Sequence, residues 1–127
     1  MLASVLCLGA CSQQVSVCTL IGCDSGVTFE LTGVKATGAG PFSVHACVDS
    51  VCVDQKLAGL TQAQVVTKDS ATRTATASIT VTEGSKVLAR GSVLVTTKKI
   101  APNGESCGPI CFVADVTVTN AGLTVAP

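Results

Sequence analysis

Apolar and polar residues alternate one for one in several separate runs of this chain, a period of two that reads as half-buried strand. The clearest case runs from Phe42 to Asp54. Two alternating runs flank Asp49-Ser50, which reads as a two-residue hairpin loop. In that register Val48 faces Val51, Cys47 faces Cys52, Ala46 faces Val53 and His45 faces Asp54. The pair next to a two-residue loop is hydrogen-bonded, so Cys47 and Cys52 form the closer, non-hydrogen-bonded kind, about 4.5 Å apart at Cα. A disulfide can bridge that gap. Val44, Ala46, Val48, Val51 and Val53 are then expected on the core face. His45, Cys47, Cys52 and Asp54 are expected on the outer face.

The same pattern recurs on both sides. Val27, Phe29 and Leu31 alternate with Thr28, Glu30 and Thr32, and the Gly-rich stretch from Gly33 to Pro41 ends that strand. A strand is expected around Ala63 to Thr67, followed by a loop from Lys68 to Thr72. Thr74 to Thr82 points Ala75, Ala77, Ile79 and Val81 inward. Glu83-Gly84-Ser85 turns the chain, and Lys86 to Thr97 returns with Val87, Ala89, Gly91, Val93 and Val95 in phase. Gly91 is the expected site of a bulge. Lys98 to Pro109 reads as a loop. Phe112 to Asn120 is the last strong strand, and Leu123 to Pro127 a loose end or short edge strand. About seven strands with regularly spaced turns predict an all-β fold: an antiparallel two-sheet sandwich, immunoglobulin-like or related.

Composition removes several functions. Only 13% of the 127 residues are charged and the formal net charge is zero, so no basic stripe exists to neutralise phosphates. Aromatic residues make up 2%, which withholds the platforms on which single-stranded bases stack. No nucleic-acid partner is expected. Mean hydropathy is +0.58, yet no apolar run approaches the ~20 residues of a membrane-spanning helix.

Eight cysteines in so short a chain point to an oxidising compartment. Six fall in three close couples: Cys18 with Cys23, Cys47 with Cys52, and Cys107 with Cys111. Six cysteines permit about 15 pairings. Proximity favours the three local ones without proving them.

Cys7 and Cys11 lie in an uncharged N-terminal segment whose apolar stretch is about as long as the shortest signal-peptide cores. Leu8-Gly9-Ala10-Cys11 resembles the lipobox of bacterial lipoproteins. The resemblance implies that Cys11 receives a diacylglycerol on its thiol and becomes the first residue after cleavage. Residues 1–10 would then be a lipoprotein-type signal peptide, and residues 11–127 a single β-sandwich domain. Ser12 in the position after the cysteine implies the outer membrane, if the cell has one. The resemblance stops at Cys11. It departs from the family in having no early basic residue, the first being Lys35. Two readings remain open there: a true start lying upstream, or a buried N-terminal strand carrying a core cysteine.

Three constellations invite a chemical reading. Cys107-Gly108-Pro109-Ile110-Cys111 resembles the thioredoxin-type motif, but with one residue too many and a strand rather than a helix following it. Asp24-Ser25-Gly26 resembles a stretch of trypsin-like serine proteases, which also need a histidine base and an orienting acid. The only histidine, His45, is expected beside Asp54 on an outer sheet face, where such a pair is ordinarily a surface interaction. Paired cysteines at these spacings suit zinc in principle, although export argues against retained thiolates. The expectation is therefore no catalytic residues, no metal and no cofactor. What remains is an exported cell-envelope protein held by a lipid on Cys11, or secreted if it is not held. It would act as a non-enzymatic binding or structural module with an unknown protein partner. The alternatives are an accessory subunit of an envelope complex and a small secreted enzyme.

Overall fold

The computed structural model describes residue 18 and residues 21–126, so Cys11, the lipobox and the lead from Gln13 to Val17 lie outside the described residues. Among the described residues, nine strands stack in two layers. They are β1 (Gly26–Gly33), β2 (Phe42–Val48), β3 (Val51–Leu57), β4 (Gln62–Val66), β5 (Thr74–Glu83), β6 (Lys86–Thr96), β7 (Lys98–Ile100), β8 (Cys111–Thr119) and β9 (Gly122–Val125). One sheet runs β4-β1-β8, with β7 and β9 both pairing to the far edge of β8. The other runs β3-β2-β5-β6. The expected β-sandwich is present. The short edge strand offered for the chain end forms as β9, whereas β7 occupies the start of the Lys98 to Pro109 stretch expected to be loop, because three residues are too few for alternation to show. One pairing, β1 with β8, is parallel. These strands are far apart in sequence and are linked through the other sheet, so no hairpin dictates their relative direction.

Alternation becomes burial directly. Val27, Phe29 and Leu31 of β1, Val44, Ala46 and Val48 of β2, Ala75, Ala77, Ile79 and Val81 of β5, and Val116 and Val118 of β8 fill the space between the sheets. Two expectations give way at edges. Val51, expected on the core face, is 41% exposed. It opens β3, an edge strand with no further strand beyond it to complete the cover.

The bulge also moves. Val81 pairs with Ala89 but Thr82 pairs with Val87, so Leu88 is the extra residue. Leu88 and Ala89 are consequently both buried, and Val87, expected in phase with the core, is turned outward. Gly91 serves a different purpose. A Cβ there would lie 2.9 Å from Leu123 Cδ1, so the missing side chain admits the tip of β9 over β6.

The disulfides depart furthest from the sequence expectation. Cys47 pairs with Cys52 as the hairpin register requires, with Cα atoms 4.1 Å apart. The other two local pairings do not form. Cys18 bonds Cys107, and Cys23 bonds Cys111, closing the chain across separations of 89 and 88 residues. The two bridges follow the same order along both stretches, Cys18 to Cys107 and Cys23 to Cys111. Polar contacts hold the same region. The Asn103 side chain accepts from the Ile21 amide and donates to the Ile21 carbonyl, at 3.2 and 2.7 Å.

Gly26 starts β1 in a conformation reserved for glycine, at φ +148°, and a Cβ would collide with the Val65 carbonyl of the neighbouring strand. Among the described residues, no helix is long and apolar enough to cross a membrane.

Candidate functional site

The chemistry-bearing side chains gather on the outer face of the β2–β3 hairpin. The two-residue loop puts Asp49 at φ 50°, a conformation that Asp tolerates better than most residues. It pins His45 opposite Asp54 and Cys47 opposite Cys52, as expected. Strand geometry then points all four side chains to one face. His45 Nδ1 lies 2.7 Å from Asp54 Oδ1. A carboxylate accepts, so the proton of this bond sits on Nδ1, and Nε2 is free to face another group. That group is Cys47: Nε2 lies 3.4 Å from its Sγ. The pair is open to solvent, with side-chain exposures of 55% for His45 and 81% for Asp54. Beside it a shallow hollow of about 350 Å³ is lined by Ser43, His45, Asp54, Lys56, Thr80 and Thr82 among others.

The remaining candidates are structural. Ser25 Oγ accepts from the Phe112 amide at 3.0 Å and donates to the Asp69 carbonyl at 3.2 Å, tying the start of β1 to β8 and to the β4–β5 loop. His45 sits in the other sheet. Cys107 and Cys111, the two ends of the thioredoxin-like stretch, are buried and bonded to different partners, so they do not form a dithiol couple with each other.

Two carboxylates organise loops. Glu83 accepts from the Thr37 hydroxyl at 2.8 Å and from the amides of Thr37, Gly38 and Gly40, pinning the loop between β1 and β2. The Thr37 hydroxyl, with those amides, holds the Glu83 carboxyl below its ordinary pKa of 4.5. Asp49 accepts from the Thr76 amide at 2.9 Å and from Arg73 Nη1 at 2.7 Å. Those two contacts, the amide first, hold it below its ordinary 3.8. Arg73 also pairs with Asp69 at 2.7 Å, and the two carboxylates raise its own pKa. No local sequence pattern announces these loop anchors, because each links positions 24 to 46 residues apart.

The sign of the resulting pH dependence follows. Both carboxyls have folded values below their unfolded ones, so the unfolded chain binds more protons in acid. Their contribution is complete above the ordinary carboxylate range and is lost as pH falls through the folded values. Thermal midpoints are expected to hold steady above about pH 5.5 and to fall steadily toward about pH 3. Glu83→Gln and Asp49→Asn should each flatten that slope when melts are compared across the series. A slope unchanged in both variants would refute the assignment.

The three disulfides among the described residues indicate an oxidising, extracytoplasmic environment. No family model, no curated protein and no solved structure matches this chain.

Proposed function

We propose that this is an exported cell-envelope protein, anchored by a lipid on Cys11, whose sandwich acts as a non-enzymatic binding or structural module. The observation that carries the reading is the use of cysteine. All six described cysteines are joined in disulfides, which suits an exported domain, while Cys7 and Cys11 stand outside that set and Cys11 alone ends a lipobox-like stretch. The long-range bridges add a geometric consequence. Cys18 is stapled to the body of the sandwich, and it lies only seven positions after Cys11. Fully extended, that tether reaches about 25 Å. A lipid on Cys11 would therefore hold the Cys18–Cys107 end of the domain near the membrane surface and leave the far end for a partner. The domain would need no membrane-binding face of its own, since acyl chains supply ~0.8 kcal/mol per buried CH₂.

Labelling with a palmitate analogue tests the anchor. The wild-type protein is expected to take up label and partition with membranes, and Cys11→Ser to lose both. Unlabelled wild type, or a Cys11→Ser variant that stays in the membrane fraction, would refute the anchor. A sharper arm follows from the short tether: lengthening it by a flexible insert after Val17 should leave labelling intact while making residues near Cys18 more accessible to protease on vesicles.

A further inference from the structure

We infer that the outer face of the β2–β3 hairpin is a redox-gated site for a thiophilic metal ion, zinc(II) in the first place, with Cys47, Cys52 and His45 as ligands and Asp54 as the group that orients His45. This goes beyond the proposed anchoring and does not depend on it.

Three observations converge. The donor atoms of His45, Cys47 and Cys52 all lie within 4.8 Å of one another. His45 already holds the orientation of a ligand, with Asp54 fixing Nδ1 at 2.7 Å and Nε2 facing Cys47 Sγ at 3.4 Å. That is the carboxylate–histidine arrangement that fixes the ring and the tautomer of metal-binding histidines. Bond lengths of about 2.3 Å to sulfur and 2.05 Å to nitrogen at tetrahedral angles set the S···N separation at about 3.6 Å, close to the contact present here. The third observation is access. Cys52 and His45 are exposed and Cys47 partly so, whereas Cys107 and Cys111 bury one end of each of the other two bridges.

The same geometry supplies the gate. While Cys47 and Cys52 are joined, their sulfurs are poor ligands, because the thiolate is the metal-binding form. A dithiol reductant attacks the exposed bridge through a mixed disulfide, leaves as its own cyclic disulfide, and delivers two electrons and two protons to give Cys47 and Cys52 thiols. Zinc then displaces those two protons to solvent and binds two thiolates and the neutral His45 Nε2. Tetrahedral coordination needs the sulfurs about 3.8 Å apart, a separation that side-chain rotation on two fixed strands provides. The fourth position falls to water on this open face.

Limited reduction with a water-soluble phosphine, followed by mass mapping, identifies which bridge opens. The expected first product has Cys47 and Cys52 reduced and both long-range disulfides intact. That species should bind one equivalent of zinc in competition with a chromogenic chelator, and cobalt(II) in its place should give the intense visible bands of a tetrahedral sulfur-ligated ion. The oxidised protein and a Cys47→Ser/Cys52→Ser variant should bind none. His45→Gln should weaken zinc binding at least tenfold, and Asp54→Asn by about 10–100-fold with cobalt bands retained. A reduced hairpin that takes up no zinc would overturn the proposal. So would equal uptake by His45→Gln, or a long-range bridge that opens before Cys47–Cys52.

Discussion

Removing both long-range disulfides together, Cys18→Ser/Cys107→Ser with Cys23→Ser/Cys111→Ser, is expected to leave the chain unfolded at room temperature. Removing either alone is expected to cost far less. Either bridge by itself closes a loop across almost ninety residues. In chain-entropy terms that restricts the unfolded state by about 4.6 kcal/mol. Once one is closed, the second only completes a ring through residues 18–23 and 107–111. A loop of about ten residues contributes about 3 kcal/mol by the same relation. Single removals should therefore each cost about 3 kcal/mol and the joint removal about 7, comparable to the whole stability of an ordinary domain. Urea titrations of the three variants separate the cases. Single losses as large as about 4.6 kcal/mol each would show that the bridges do not share one loop. A folded variant lacking both would show that the sandwich does not need them.

Phe29→Ala is expected to be the most damaging single replacement in the core, at about 3–5 kcal/mol. Phe29 is fully buried, and it is the largest of the fully buried side chains. Its strand lies between β4 and β8, where its pairing partners are Ala63 and Val116. Neither can swell into the space a lost ring would leave, so the void persists. Val51→Ala makes the control, because its side chain is 41% exposed and its loss should stay within about 0.5 kcal/mol. Denaturation midpoints of the two variants, disulfides intact, decide the matter. A cost for Phe29→Ala below about 1 kcal/mol, or a comparable cost for Val51→Ala, would be incompatible with this core.

How much of the molecule is legible in the sequence varies with the range of the interaction. The hairpin register from Phe42 to Asp54 is readable because its turn and alternation are local, and the His45–Asp54 and Cys47–Cys52 pairs follow from that register. The bulge falls at Leu88 rather than Gly91 because glycine is only a permissive signal. The extra residue is instead an apolar side chain that the sandwich has room to bury. The Glu83 cradle and the Asp49–Arg73 pair carry no signal, since each joins loops that are neighbours only after the sheets have closed.

The sequence by itself determined the layer architecture, most of the strand faces and the oxidising setting, and it made the local hairpin disulfide feasible. Each depends on period-two burial or on composition, which act over a few residues or over none in particular. Only the tertiary structure decided that Cys18 and Cys23 reach across the molecule to Cys107 and Cys111 rather than to their nearest neighbours. It also decided that β1 runs parallel to β8. The physical reason is common to both. Disulfide partners are set by Cα separation and side-chain direction in the folded chain. Which distant segments come within that range is fixed by how the two sheets close.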